Sequence, residues 1–380
     1  MNKLHILLFG GSGTLSFTVL NSILRNKEAE VWIFNRGNNN AAIPLSVHIL
    51  IGNFYDTSSI QQAIGELEFD VVIDFLSRTP EDIARIYPLF IDRCTQYIFI
   101  STACVFKRER FDFPIIEKSS KPNTKWKYSV QKYECEKLLK RISEGHKPYF
   151  TIIRPYITYD DKRIPYGIAP EYKYHRTIIE RIKSGKPMFV WNNGENITTL
   201  TSVADFAPAV VGLLLNPKAV NEDFNIVSNF TYKWKDVLNI LYSRLGCKPF
   251  IVNVPLEDIY RQMPDMKEML EGDRALDAVF DNTKIKCAVP NLAFTTSLEQ
   301  GIDCIIKHYS KDTAKLYDYT FDARIDKLIS TVNPTADIGY KKYEGAKLLS
   351  SLFTYMIYRY LHFTFASRIY NHIRHSHRIL

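Results

Sequence analysis

Short apolar runs recur along the first 155 residues, and between them the apolar positions fall at helical spacing. Residues 4–9, 30–36, 47–51, 69–75, 97–102 and 150–155 read as strands, the first of them with the continuous apolar character of a buried parallel strand. Residues 17–25, 57–64 and 83–94 and the stretch around Tyr128 read as helices, with Asp56 as the N-cap of the second. Strands and helices alternating at this interval predict an α/β fold, a doubly wound parallel sheet with helices on both faces. A loop bearing Pro and Lys, residues 106–125, leads into the Tyr128 helix. After the sixth strand, residues 160–200 turn polar and are punctuated by Pro165, Gly167, Pro170, Gly185 and Pro187, with a helix expected over 172–184. Further helices are expected over 203–215, 234–245 and 298–308. The organisation expected is a nucleotide-binding core over 1–160, remaining core elements with a small substrate subdomain over 161–310, and a helical extension over 311–380.

The first strand runs into Gly10-Gly11-Ser12-Gly13-Thr14-Leu15-Ser16 and then a helix. Glycines there let the backbone approach a pyrophosphate, and the helix N-terminus favours its charge. A plain glycine-rich turn is the alternative. At the end of the second strand, Asn35-Arg36 stands where an acidic residue would bind a ribose hydroxyl, and Arg36 tilts the cofactor expectation within NAD(P) toward NADP.

Tyr128 and Lys132 are four residues apart, on adjacent turns of one helical face, with Glu136 four further on. A nearby ammonium favours the phenolate, so the pair can exchange a proton with a hydroxyl or carbonyl. Alone, such spacing is common on surface helices. Tyr133 and Lys137 repeat it, displaced by five residues and without a glutamate eight residues after the tyrosine.

Composition narrows the class. Six cysteines lie far apart with no CxxC, which argues against a zinc site or a disulfide framework and for a reducing cytosol. The expected location is therefore cytoplasmic, and neither a signal peptide nor a membrane-spanning helix is read. The net charge is +8, and residues 341–380 hold seven Lys/Arg against Glu344 alone, so the body is nearly neutral and nucleic acid is not an expected partner.

Taken in order, Gly10–Ser16, Ser101-Thr102-Ala103-Cys104-Val105-Phe106, Tyr128-x-x-x-Lys132 with Glu136, Arg154-Pro155 and Val203-Ala204-Asp205 resemble the extended short-chain dehydrogenase/reductase superfamily, in its NAD(P)-dependent epimerase/dehydratase group. The resemblance covers about residues 3–310. It implies a Rossmann fold, Thr102 as the catalytic hydroxyl, Tyr128 as acid/base, and Lys132 holding the nicotinamide ribose. It also implies a cofactor site made of Gly10, Gly11, Ser12, Gly13, Thr14, Leu15, Asn35, Arg36, Asn53, Phe54, Tyr128, Lys132 and Pro155. The implied chemistry is hydride transfer at a secondary alcohol or ketone carbon of a sugar-like substrate, and a homodimer is expected.

The chain departs from the group's pattern at informative places. Ser16 replaces the third glycine, and Asn53 an aspartate that faces adenine. Ala103 and Cys104 occupy the Asp-Glu positions of sugar 4,6-dehydratases, which disfavours dehydration. Ile157 and Thr198 replace an asparagine and a diphosphate-binding arginine of nucleotide-sugar epimerases, leaving Lys127, Lys162, Arg163, Lys173 or Arg176 to supply charge.

After Ser310 the resemblance ends. Residues 348–365 are apolar and aromatic, followed by Arg368, His372, Arg374, His375, His377 and Arg378. Such a helix suits packing on its own chain, a subunit contact, or a peripheral membrane contact through 348–380. A non-catalytic protein that keeps the fold and binds RNA or a membrane surface through this tail is the competing function.

Overall fold

The computed structural model describes residues 3–38, 40–108, 113–169, 174–361 and 365. The chain divides into two units, one of residues 1–158, 199–231 and 278–296, the other of 159–198, 232–277 and 297–380.

The first unit holds a seven-stranded sheet. Its strands are β1 (Leu4–Phe9), β2 (Ala29–Asn35), β3 (His48–Ile51), β4 (Phe69–Asp74), β5 (Cys94–Ile100), β6 (Tyr149–Pro155) and a seventh, Glu222–Ile226. They lie in the order Glu222–Ile226, β6, β5, β4, β1, β2, β3, all pairs parallel. Side chains alternate across β1, so Ile6 and Leu8 enter one core with Val19, Leu20 and Ile23 of helix α1 (Thr14–Asn26) and Phe206 and Val210 of the helix Val203–Gly212. Leu7 and Phe9 enter the opposite core. There they meet Ile60 of α2 (Thr57–Ile64), Ile83 of α3 (Pro80–Ile86) and Leu139 of α4 (Lys127–Ile142). Burial on both faces accounts for the near-continuous apolar runs.

Two expectations change. The helix expected over 83–94 stops at Ile86, because Pro88 has no N–H to continue the ladder. A 3₁₀ turn, Tyr87–Phe90, follows, and β5 begins at Cys94. The seventh strand was not foreseen. Its sequence, Glu-Asp-Phe-Asn-Ile, reads as a polar loop until its alternation is noticed, with Phe224 and Ile226 joining the α1-side core.

The second unit pairs Met188–Val190 with Ile251–Asn253 in parallel. The indole N–H groups of Trp191 and Trp234 both donate to the Arg274 carbonyl, at 3.0 and 2.9 Å. The extension belongs to this unit. Arg181 and Lys186 meet Asp322 and Asp326 of the helix Tyr319–Val332 in a cluster that is at most 1 % exposed. Arg181 Nη1 donates to Asp322 Oδ1 at 2.6 Å and Asp326 Oδ1 at 2.9 Å, and Lys186 Nζ to Asp322 Oδ2 at 2.7 Å. The Tyr343 and Tyr355 hydroxyls donate to Asp322 and Asp326 at 2.8 and 2.6 Å. Burial, with the two carboxylates beside them, holds both phenols well above their ordinary pKa, so they remain donors. Two cations and two anions balance, and Tyr355 ties the last helix, Leu348–Tyr360, to its neighbour. The aromatic tail is thus partly explained by packing on its own chain. Lys173, His362, Phe363 and the basic and histidine residues from 368 onward lie outside the described residues.

Candidate active site

The sheet reverses its winding between β1 and β4, and loops at the carboxyl ends of strands flanking such a point form a ligand crevice. Gly10, Asp74, Ser101 and Pro155 stand at the carboxyl ends of β1, β4, β5 and β6, with Asn35 and Asn53 at those of β2 and β3.

Gly10 and Gly11 have φ of +114° and +107°, and a Cβ on Gly11 would sit 2.7 Å from Ile33 Cγ2. Both strain and collision therefore demand glycine. We expect Gly11→Ala to cost about 1–3 kcal/mol of stability and to weaken dinucleotide binding, read by urea unfolding and fluorescence titration. Gly13 is the N-cap of α1, whose first turn carries no acidic residue, so its dipole is open to an anion. Ser12, Thr14 and Leu15 complete the turn, and Ser16 folds back on it, its Oγ accepting from Gly13 N at 3.1 Å. The hydroxyl in place of the third glycine thus ties the loop to the helix.

The remaining cofactor candidates are unequal. Asn35 is spent on its own turn, Nδ2 donating to Asn40 Oδ1 and Oδ1 accepting from Gly37 N, both at 2.7 Å. Arg36 beside it is exposed. Asn53 is exposed, with Oδ1 accepting from Tyr55 N at 3.1 Å. Phe54 is a core residue, its ring 5.8 Å from that of Phe9, and Pro155 is buried at the end of β6.

Helix α4 begins at Lys127, which places Tyr128 and Lys132 in its first two turns. Tyr128 is half-buried, its ring 5.1 Å from that of Trp126. Lys132 is buried, and its Nζ donates to Ser77 O at 2.7 Å and Ile100 O at 2.8 Å, 4.6 Å from the centroid of the Phe99 ring. The ammonium is thereby fixed between the ends of β4 and β5. Lys137 of the competing pair is exposed and meets Glu134 at 3.2 Å.

Burial pushes the Lys132 pKa down to about 8. Folded Lys132 thus releases its proton near pH 8, whereas the unfolded side chain holds its own to about 10.4. The burial penalty is complete below pH 8 and fades as pH rises above it, so this group adds stability across that window. We expect the urea midpoint of the wild type to rise relative to that of Lys132→Met across that window.

Ser101 and Thr102 have different duties. Ser101 donates its proton to Glu136 Oε1 at 2.6 Å. Thr102 Oγ1 accepts from Cys104 N at 3.2 Å, which leaves the Thr102 proton for another acceptor. Ala103 and Cys104 are buried in an apolar cluster.

Behind these residues runs a buried ion chain that sequence reading only partly reached. Arg154 of β6 binds Glu136 twice, at 2.8 and 2.7 Å, and Asp223 of the seventh strand at 2.9 Å. Lys140 closes on Asp223 at 2.9 Å. Burial alone would raise the Asp223 carboxyl, but Arg154 and Lys140 hold it well below the carboxylate range. Asp223 was missed because its strand was; Asp223 and Asn225 alternating with Phe224 and Ile226 is the signal that finds it.

Other motif residues serve the frame. Asp205 accepts from the backbone N–H groups of Thr295 and Thr296, at 3.1 and 2.9 Å. Among the cations weighed for the substrate, Arg176 donates to the carbonyls of Tyr309 and Asp312, at 2.9 and 3.0 Å, and is committed to ending the helix Leu298–Lys311.

A sequence profile described as the NAD dependent epimerase/dehydratase family matches residues 6–227. The chain belongs to that family. The glycine turn fits a dinucleotide, since positive φ at Gly10 and Gly11 carries the chain from β1 straight into the N-terminus of α1, whose first turn holds no acidic residue.

Among solved structures, an epimerase from Methanothermobacter thermautotrophicus is similar at TM-score 0.66 and 13% identity, covering 82% of this chain and 93% of that one. A dTDP-glucose 4,6-dehydratase from Bacillus anthracis, in complex with NAD, reaches 0.64 at 16% identity, covering 82% and 98%. A UDP-glucose 4-epimerase from Thermotoga maritima, with UDP-glucose, reaches 0.63 at 18%, covering 81% and 99%. These likenesses establish the fold. The curated chloroplast stem-loop binding protein of 41 kDa b from Arabidopsis thaliana is 30% identical over 234 residues, and the match spans 58% of each chain. Among the described residues, no helix is long and apolar enough to cross a membrane.

Proposed function

We propose that this family member transfers hydride at a secondary alcohol or ketone carbon of a sugar or nucleotide-sugar-like substrate, with Tyr128 as acid/base and Thr102 and Lys132 as its partners. The observation that carries the reading is Lys132, a buried ammonium fixed between the ends of β4 and β5, one helical turn from Tyr128. When bound, the nicotinamide ring supplies hydride exchange at its C4. The Lys132 ammonium favours the Tyr128 phenolate, which takes the proton of a substrate hydroxyl and returns it to a carbonyl oxygen. Thr102, its proton uncommitted, donates to that same oxygen. Ser101 is held by Glu136 and acts through position.

Arg36 supports NADP, because an exposed guanidinium at the end of β2 suits a 2′-phosphate, and the sequence from it to Tyr55 holds no Asp or Glu. Asn53 would meet adenine through Nδ2, its oxygen being engaged. Dehydration is disfavoured because buried Ala103 and Cys104 offer no carboxylic acid and base. A sugar-like substrate is supported by the folds that carry UDP-glucose and dTDP-glucose chemistry in the similar structures. Homodimerisation is part of the same proposal and is read by sedimentation equilibrium.

Mass spectrometry of the purified protein tests the cofactor and its redox state. Tightly held dinucleotide supports an epimerase, and an empty site that binds NADP(H) from solution supports a net reductase or dehydrogenase. Failure to bind either NAD(H) or NADP(H) overturns the proposal.

A second reading, a fold-retaining RNA-binding protein, is favoured by the likeness to the Arabidopsis stem-loop binding protein. Stem-loop retention by the full chain, lost on removing residues 362–380, together with absent dinucleotide binding, would replace the first reading. That cut is cleaner than one at 341, which would strip Tyr343 and Tyr355 from the buried cluster.

A further inference from the structure

Asp74, the last residue of β4, is fully buried beside the switch point of the sheet. Its side chain accepts three hydrogen bonds. Oδ1 takes Leu76 N at 2.8 Å and Ser77 N at 2.9 Å, and Oδ2 takes the Tyr97 hydroxyl at 2.6 Å. Burial, with the Asp74 charge beside it, holds the Tyr97 phenol well above its ordinary pKa, so it remains a donor. The next two amides go to a second carboxylate, Asp82 Oδ2, which accepts from Arg78 N and Thr79 N at 2.9 and 3.1 Å. Phe75 N donates to Phe9 O at 3.2 Å. Every backbone N–H from Phe75 to Thr79 is thus committed, and the turn after β4 is fixed at both ends.

This turn has two working faces. On one, the Ser77 carbonyl accepts from Lys132 Nζ at 2.7 Å. Ile100 O takes a second ammonium proton at 2.8 Å, and two fixed protons set the direction of the third. On the other face, a Cβ built on Gly10 would lie 3.6 Å from Phe75 Cβ and 3.7 Å from Leu76 Cδ2. The same three residues therefore line the glycine turn and hold the lysine. Asp74 and Arg78 from this segment, with Cys135 and Glu136 from α4, are the charged or titratable groups whose fields reach Lys132. Glu136 is spent on Arg154 and Ser101, and Arg78 is exposed.

We infer that Asp74 is the positioning residue of this site: it folds the Phe75–Ser77 turn so that one carbonyl holds the Lys132 ammonium beside the glycine turn. Tyr97 locks the carboxylate from beneath. Asp74 touches neither substrate nor cofactor and acts through Ser77 and Lys132. The inference rests on the proposed role of Lys132, and its first readout needs no ligand.

That readout is the titration of Lys132 in ligand-free protein, followed by ¹³Cε-lysine NMR and assigned with Lys132→Met. In Asp74→Ala the ammonium loses an acceptor and a neighbouring negative charge, so its midpoint falls from about 8 by about one unit, a tenfold loss of proton affinity. The NAD(H) or NADP(H) dissociation constant rises about tenfold in the same variant. Asp74→Asn recovers binding to within about threefold, because an amide oxygen accepts from the same two N–H groups. Asp70→Ala, which removes a carboxylate bonded to His5 N from the other end of β4, changes neither value. A folded Asp74→Ala whose Lys132 titrates as in wild type overturns the inference, as does an Asp74→Asn that binds no better than Asp74→Ala. If wild type binds no dinucleotide, the catalytic reading falls, and the Lys132 midpoint alone decides the positioning role. Should Asp74→Ala not fold, amide exchange in wild type decides: Leu76 and Ser77 amides that exchange at open-loop rates overturn the turn, and protected ones sustain it.

Discussion

Tyr128→Phe lowers turnover by about 10²–10⁴-fold, the usual worth of a positioned acid/base, while the dinucleotide dissociation constant stays within about threefold. The phenyl ring keeps the contact with Trp126 and α4 keeps its register, while the exchangeable proton is lost. The readout is single-turnover absorbance of the nicotinamide during incubation with a panel of UDP- and dTDP-sugars, alongside fluorescence titration of the cofactor. Undiminished turnover in the variant would remove Tyr128 from the chemistry. A parallel fall in cofactor affinity would make its role one of binding. Lys132→Met separates the two contributions, since Lys132 also closes the ends of β4 and β5 through Ser77 O and Ile100 O. That variant should lose cofactor affinity and turnover together.

The second large effect lies in the second unit. Arg181 donates to Asp322 Oδ1, Asp322 O, Asp326 Oδ1 and Pro187 O, at 2.6, 3.0, 2.9 and 2.6 Å, with no exposed surface. Removing one member of such a cluster leaves a buried carboxylate without its counter-charge. Arg181→Met is therefore expected to cost about 3–5 kcal/mol of unfolding free energy. Lys at this position restores the charge but cannot reproduce the fork of donors, so Arg181→Lys falls between the two. Urea unfolding followed by tryptophan fluorescence reads the change, since Trp191 and Trp234 are both buried in this unit. A loss below about 1 kcal/mol would assign the unit's stability to its apolar contacts instead.

Much of the first unit was legible because its strands are buried on both faces and say so by continuous apolar runs. The positions of Gly10, Gly11 and Lys132 followed from that frame. Illegible were elements whose burial is polar. Asp223 and Asn225 lie inside a strand that reads as a loop, since Arg154 neutralises Asp223 from a residue 69 positions away. Asp322 and Asp326 look like the solvated face of a helix until Arg181 and Lys186 are brought to them. Pattern reading assumes that charge faces water; paired charge escapes it. Asn35 is a different case. Its side chain completes a local turn, which spacing alone does not distinguish from a ligand contact.

The seventh strand, finally, has a consequence for the order of synthesis. β6 ends at Pro155, and the strand that covers its outer edge begins at Glu222. At about 5–20 residues per second, a ribosome needs roughly 3–15 s to make the segment between them. Throughout that interval β6 presents an unpaired edge, and Arg154 has Glu136 but lacks Asp223. A nascent chain stalled between these strands is thus the form of this protein most prone to intermolecular strand pairing. Pulse-labelled chains arrested there should be the ones that a chaperone captures.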